Sequence, residues 1–176
     1  MVALLGISGS LRRESFNTKL LREASRAFGE CHFAMADLNL PLFNEDLEAE
    51  GVPDKVALLM AQIEAADGLV ISTPEYNKAP SGALKNAFDW ISRKRPMPTA
   101  GKPTVILSAA AGIAGGQRSQ AILHLMLQAF DLRYSVNPEF FMGQAFSKFG
   151  EDGRITDEKT FEFLQGKMAG LREMIG

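Results

Sequence analysis

Val2-Ala3-Leu4-Leu5-Gly6-Ile7 runs without a charge into Ser8-Gly9-Ser10-Leu11-Arg12-Arg13-Glu14-Ser15-Phe16-Asn17-Thr18. A continuous apolar run is the pattern of a strand buried on both faces, as in a parallel sheet. Beyond Thr18 the period changes, and Leu20, Leu21, Ala24, Ala27 and Phe28 recur at helical spacing. The polar stretch therefore joins the end of a buried strand to the start of a helix. Backbone N–H groups and the helix dipole converge there and favour an anion. Ser8, Ser10, Ser15 and Thr18 add hydroxyl donors and Arg12 a guanidinium, the donor set that a phosphate monoester needs. A polar turn with an N-cap is the competing reading, and the density of donors behind a buried strand favours the anion site. The Walker A pattern is absent, and Gly6 and Gly9 do not complete a G-x-G-x-x-G fingerprint.

The same alternation continues outward. Phe33 to Leu38 reads as a second strand, followed by a loop with Pro41, Asn44 and Gly51. Val56, Leu59, Met60 and Ile63 mark a second helix, with Pro53 near its start. Gly68 to Thr73 is a third buried strand. Leu84, Ala87, Phe88 and Ile91 give a third helix, and Thr104 to Ser108 a fourth strand. Ile122, Leu123, Met126 and Phe130 lie on a fourth helix. The stretch from Tyr134 to Met142 is broken by Pro138, which predicts a short or edge strand. Phe161, Leu164, Met168, Leu171 and Ile175 define a last helix, with Thr156 as its N-cap and Asp157 and Glu158 in its first turn.

Five strand–helix units predict an α/β three-layer sandwich. Its five-stranded parallel sheet, in the order 2-1-3-4-5, carries helices on both faces. Residues 1–176 read as one domain, without internal repeat or linker. In such a sheet, ligands bind beyond the carboxyl ends of the strands, beside the reversal between strands 1 and 3. The loops after strands 1, 3 and 4 are thus the candidate site. The second of them, Thr73-Pro74-Glu75-Tyr76-Asn77-Lys78-Ala79-Pro80-Ser81-Gly82, is stiffened by two prolines and presents Tyr76 and Asn77 beyond a buried strand. The third, Ser108 to Arg118, is small and glycine-rich, so a flat ring can approach its backbone. Each loop alone also reads as an ordinary connection; together they mark a site for a planar heterocycle bearing a phosphate.

Composition narrows the function classes. A net charge of −2 supplies no basic field for nucleic acid. No run of about 20 apolar residues is present, so no segment is expected to span a membrane. The apolar start lacks the flanks of a signal peptide. One cysteine, Cys31, allows no internal disulfide, which fits a reducing, cytoplasmic setting, and reads as a buried structural thiol. His32 and His124 lack metal-ligand spacing and read as structural. Arg93-Lys94-Arg95 reads as a solvated helix C-terminus, and Phe140-Phe141-Met142 and Phe146 as core or interface. Asp37, near the end of strand 2, keeps a dehydrogenase-type dinucleotide site as a minor alternative.

These motifs resemble those of the NADPH-dependent FMN reductases, a flavodoxin-like family that includes quinone, chromate and azo-dye reductases. Gly9-Ser10-Leu11-Arg12 through Ser15 and Asn17 is similar to the family's G-S-x-R-x-x-S-x-N phosphate motif. Pro74-Glu75-Tyr76-Asn77, followed by Gly82 and Lys85-Asn86-Ala87-Phe88-Asp89-Trp90, is similar to its P-E-Y-N…G-x-L-K-N-x-x-D-W segment. Ser108 with Gly115, Gly116 and Gln120 resembles its third loop, except that Ala109-Ala110-Ala111 stands where relatives often have glycine. The resemblance spans about the first 140 residues. It implies that Ser10, Arg12, Ser15, Asn17 and Thr18 hold the phosphate of FMN. Pro74, Glu75, Tyr76 and Asn77 would line the ring, largely through backbone groups, with Ser108 at its other edge. It also implies NADPH or NADH as hydride donor, a small-molecule electron acceptor, ping-pong kinetics, and a homodimer or homotetramer in which Phe88 and Trp90 suit a subunit contact; core packing is the competing reading, and for Phe88 the favoured one. An FMN-binding electron carrier without direct NAD(P)H oxidation and a flavin-free interaction domain are the alternatives.

Overall fold

A computed structural model describes residues 1–134, 136 and 138–176. Its elements are β1 (Ala3–Ser8), α1 (Phe16–Phe28), β2 (His32–Met35), α2 (Glu45–Glu50), α3 (Asp54–Ala65), β3 (Gly68–Thr73), α4 (Gly82–Ile91), β4 (Pro103–Ala109), α5 (Gln117–Leu127), β5 (Arg133–Tyr134), β6 (Phe140–Met142) and α6 (Glu158–Ile175). The sheet is parallel in the order β2-β1-β3-β4-β5, with β6 also paired to β4. This is the flavodoxin-like arrangement expected from the continuous apolar runs. All six residues of β3 and all seven of β4 are buried, because helices cover both faces of the sheet there.

On one face, Leu20, Leu21, Ala24 and Phe28 of α1 pack with Leu164, Met168 and Leu171 of α6 against Leu4, Val70 and Val105. On the other, Leu59 and Ile63 of α3, Leu84 and Phe88 of α4, and Leu123 and Leu127 of α5 close over Leu5, Ile7, Ile71 and Ile106. Each such side chain, fully buried, contributes about 1.5–3 kcal/mol of transfer free energy. The strand register sets Ser8 beside Ser72 and Thr73 beside Ser108, so β1, β3 and β4 release their loops from one edge of the sheet.

Several local expectations are corrected. The second strand ends at Met35 rather than Leu38, because Asp37 Oδ1 accepts from Asn39 N (2.9 Å) and turns the chain, tucking Leu38 into the core. The loop after it contains a short helix, α2, that buries no residue and so has no apolar stripe to betray it; Asn44 caps it ahead of an acidic first turn. The short or edge strand expected between Tyr134 and Met142 is found, as two short pieces, β5 and β6, along the β4 edge; residues 135 and 137 of that stretch lie outside the described residues. The cap of α6 is Asp157, not Thr156. Asp157 accepts from Thr160 N and Thr160 Oγ1, whereas Thr156 Oγ1 donates to the Lys148 carbonyl. Cys31 is half-buried rather than buried, with its Sγ 3.8 Å from Ser25 Oγ. Arg93 and Lys94 are paired with Glu48 and Glu64 of α2 and α3 rather than simply solvated.

Phe88 and Trp90 are 1% and 0% exposed, so neither is available for a subunit contact. Phe88 meets Phe130 edge-on, and Trp90 meets Phe43 at a centroid distance of 5.0 Å. Trp90 Nε1 donates to the Pro41 carbonyl (2.9 Å), which also accepts from Asn86 Nδ2 (2.9 Å). The indole thus pins the loop after β2 onto α4. Trp90→Ala should lower unfolding free energy by about 3–5 kcal/mol in urea titrations. Trp90→Phe should cost much less, because the Pro41 carbonyl keeps its bond from Asn86.

Candidate flavin-binding site

The loops after β1, β3 and β4 enclose a cavity of about 590 Å³, within the range of small-molecule sites. Ser10, Arg12, Ser15, Asn17, Pro74, Glu75 and Tyr76 line it, and the third loop adds residues 109–116 and Arg118. The register of the sheet produces this convergence, and two buried bonds secure it. Gly9 N donates to the Ser72 carbonyl (2.8 Å), and Ser81 Oγ donates to the Gly9 carbonyl. Ser81 also caps α4 by accepting from Leu84 N (3.2 Å).

The first loop ends at the start of α1, where Ser15 is the N-cap. Ser15 Oγ accepts from Thr18 N (3.3 Å), which satisfies one donor of the first turn of α1. The N–H groups of Phe16 and Asn17 have no intrahelical acceptor, and both residues line the cavity. Ser10 is buried, its Oγ accepting from Arg12 N (3.4 Å), and the Arg12 side chain is exposed.

Other expected site residues take different positions. Ser8 Oγ shares a hydrogen bond with Thr18 Oγ1 (3.0 Å), and both border a separate cleft beside β2 instead of the main cavity. The Asn17 carboxamide uses three of its four hydrogen-bonding positions: Nδ2 donates one N–H to the Ala109 carbonyl (3.0 Å), and Oδ1 accepts from Ala109 N (3.0 Å) and Ser72 Oγ (2.8 Å). Asn17 therefore ties the start of α1 to the ends of β3 and β4, which leaves its second Nδ2–H and its backbone N–H for an anion. Ser108 is 0% exposed; its Oγ donates to the Gly115 carbonyl (2.6 Å) and accepts from Gln120 Nε2 (2.8 Å). It shapes the third loop from behind. Asn77 is not among the lining residues. It forms a tight hairpin with Lys78, both left-handed at φ +52° and +67°, closed by paired bonds between Tyr76 and Ala79.

Sequence reasoning missed what the third-loop glycines do. A Cβ on Gly116 would stand 2.8 Å from Ser108 Cβ, and one on Gly115 would stand 2.7 Å from Gly143 N. The loop needs these glycines first to lie on Ser108 and on the end of β6; openness toward the cavity follows. Glu75, named from the sequence, and Arg118 of the third loop both line the cavity; their pairing across the loops was unreadable, since no local pattern links positions so far apart. A Cβ on Gly82 would meet nothing within 4 Å, so close approach is not the reason for glycine there. Asp37 pairs with Lys55 (2.8 Å), which with the Asn39 N–H holds its carboxyl below the usual range. His124 is kept outside the cavity, stacked on Tyr134, and burial lowers its pKa.

This donor set fits FMN: a helix start and hydroxyls for a phosphate, beside small residues that let a flat ring reach the backbone. Residues 2–147 match the sequence profile of the family described as NADPH-dependent FMN reductase. An NAD(P)H-dependent FMN reductase of Pseudomonas aeruginosa is 40% identical over 173 residues, covering 97% of this chain and 94% of that protein. A quinone reductase of Escherichia coli is 38% identical over 172 residues, covering 95% and 92%. Among solved structures, the flavoenzyme NAD(P)H:(acceptor) oxidoreductase FerB of Paracoccus denitrificans superposes with a TM-score of 0.90 at 32% identity, covering 99% of this chain and 97% of that one.

Asn17→Ala should leave the Ala109 amide and the Ser72 hydroxyl without their partner, costing about 2–4 kcal/mol in chemical denaturation. Asn17→Asp, which keeps the acceptor and loses the donor, should fall between. A cost below about 1 kcal/mol for the alanine variant would show that the loops hold without this bond.

Proposed function

The chain belongs to the NADPH-dependent FMN reductase family, and from that premise we propose that it is an FMN-dependent NAD(P)H oxidoreductase acting on a small electron acceptor. The observation that carries the proposal is the start of α1, where the N–H groups of Phe16 and Asn17 lack an intrahelical acceptor, set in a cavity whose third-loop wall is mostly small residues. Bound there, FMN supplies hydride acceptance from the nicotinamide and onward delivery of electrons to the oxidant. The protein's part is to bind, orient and shield. The N–H groups of Phe16 and Asn17, the hydroxyls of Ser10 and Ser15 and the Arg12 guanidinium hold the phosphate. Pro74, Glu75 and Tyr76 bound the ring on one side and residues 109–116 on another. Ser8, Thr18, Asn77 and Ser108 support these loops. No protein nucleophile is needed for this chemistry.

Residues 1–176 form one FMN-binding domain in this reading. The acceptor is a quinone, free flavin, chromate or azo-type oxidant; the quinone reductase relative supports the first. The single cysteine supports a cytoplasmic setting, and among the described residues no helix is long and apolar enough to cross a membrane. Exposed Ile113, Ile122 and Leu125, on and beside α5, support a homodimer or homotetramer in place of the buried Phe88 and Trp90.

Protein incubated with FMN and desalted should keep flavin absorbance, and that absorbance should bleach on anaerobic mixing with NADPH or NADH. Retained bands that fail to bleach would instead indicate an electron carrier, and no retained flavin would sink the assignment. Arg12→Ala should weaken FMN binding by about tenfold or more, the worth of one charge-assisted hydrogen bond, with the circular dichroism spectrum unchanged. Unaltered affinity would remove Arg12 from the phosphate seat.

A further inference from the structure

The third loop starts a helix that has no cap of its own. α5 follows Gly116, which is left-handed at φ +94° and offers no side chain. Ser119 does not substitute: its hydroxyl donates to the Gly116 carbonyl (2.7 Å), and no side chain of this turn caps the helix. The orphaned N–H groups of the first turn still require acceptors. They find one in the second loop: Glu75 Oε2 accepts from Arg118 N (3.1 Å) and Ser119 N (3.3 Å), and Oε1 lies 3.5 Å from Arg118 Nη1. The Glu75 side chain is only 16% exposed, whereas the Arg118 side chain is 62% exposed, so the carboxylate is sheltered at its end and the guanidinium adds the little that a surface ion pair does.

We propose that Glu75 is a positioning residue for the flavin seat: its carboxylate caps α5 from the opposite loop and thereby sets the gap between the second and third loops. The proposal rests on the flavin-binding reading above. Three observations support it. Glu75 and Arg118 both line the cavity, so the bond lies at the seat itself. Among the described residues, no other hydrogen bond or ion pair joins residues 74–81 to residues 110–118. Each loop is also stiff by itself: the second through its Tyr76–Ala79 hairpin, the third through bonds from Ala110 N to the Met142 carbonyl and from Gln144 N to the Gly112 carbonyl. The β3–β4 ladder and Asn17 hold the bases of these two walls, and the Glu75 bond is the strut that spans them at the seat. The negative charge faces the helix N-terminus and Arg118, where it is favourable.

The test uses full-length protein without flavin and then with it. In the flavin-free protein, hydrogen exchange at the Arg118 and Ser119 amides should be slow, should accelerate in Glu75→Ala, and should stay slow in Glu75→Gln, whose carboxamide oxygen accepts the same donors. FMN affinity, from fluorescence titration, should fall at least tenfold in Glu75→Ala and recover most of that in Glu75→Gln. Glu75→Asp, which keeps the charge and loses the reach, should behave like the alanine variant and serves if that variant does not fold. Faster exchange with unchanged FMN affinity would overturn the proposal, since the cap would then exist without setting the seat. Unchanged exchange in Glu75→Ala and Glu75→Asp would overturn it as well. Loss of FMN binding by the wild type would strike the flavin reading, while the exchange data would still report on the cap.

Discussion

One buried carboxamide makes the site possible. At the reversal point of the sheet, the chain leaving β1 turns one way and the chain leaving β3 the other, so the strand ladder, whose last bond here runs from Gly9 N to the Ser72 carbonyl, does not reach the start of α1. Asn17 supplies that link. Its side chain reads the amide and carbonyl of Ala109 at the end of β4 as another strand would, and takes the Ser72 hydroxyl from β3 as well. Its low exposure makes these bonds costly to lose, because the groups released would have no water to replace them. The Ser81 bond to the Gly9 carbonyl does the same for the first loop and α4.

With the loops fixed, electrostatics decides where an anion goes. Two helices, α1 and α5, begin beside the same cavity, and each presents unsatisfied N–H groups. The start of α5 is occupied by the Glu75 carboxylate, whereas the start of α1 has only a serine hydroxyl on one donor. In the proposed reading a phosphate would meet a pole at α1 that only a hydroxyl caps and one at α5 that a carboxylate neutralises. That asymmetry would give the ligand one orientation and leave the small third-loop residues to the ring.

Features that rest on periodicity and position were legible in the sequence. Uninterrupted apolar runs announced strands covered on both faces, and the order of strand–helix units placed the three loops on one edge. What a polar side chain does once there was not legible. Asn17, Ser108 and Glu75 have the same composition signal as Ser10 or Arg12, yet their partners come from other loops, and only the fold decides whether a hydroxyl or amide faces the ligand or the backbone. The short helix α2 escaped because it buries nothing, and Trp90 was misplaced because an aromatic on a helix reads alike whether it meets its own loop or another subunit.

The outer margin of β4 is covered in two instalments: β5 pairs with Pro103 and Thr104, and β6 with Leu107 to Ala109. Neither piece exceeds three residues, and Pro138 stands in the chain between them. A sheet of buried, β-branched strands is the kind of surface on which stray chains polymerise when an edge is long and straight. Among the described residues that side offers no continuous row of free backbone groups to copy, so the fold can keep a very apolar sheet without inviting fibre growth from β5 or β6.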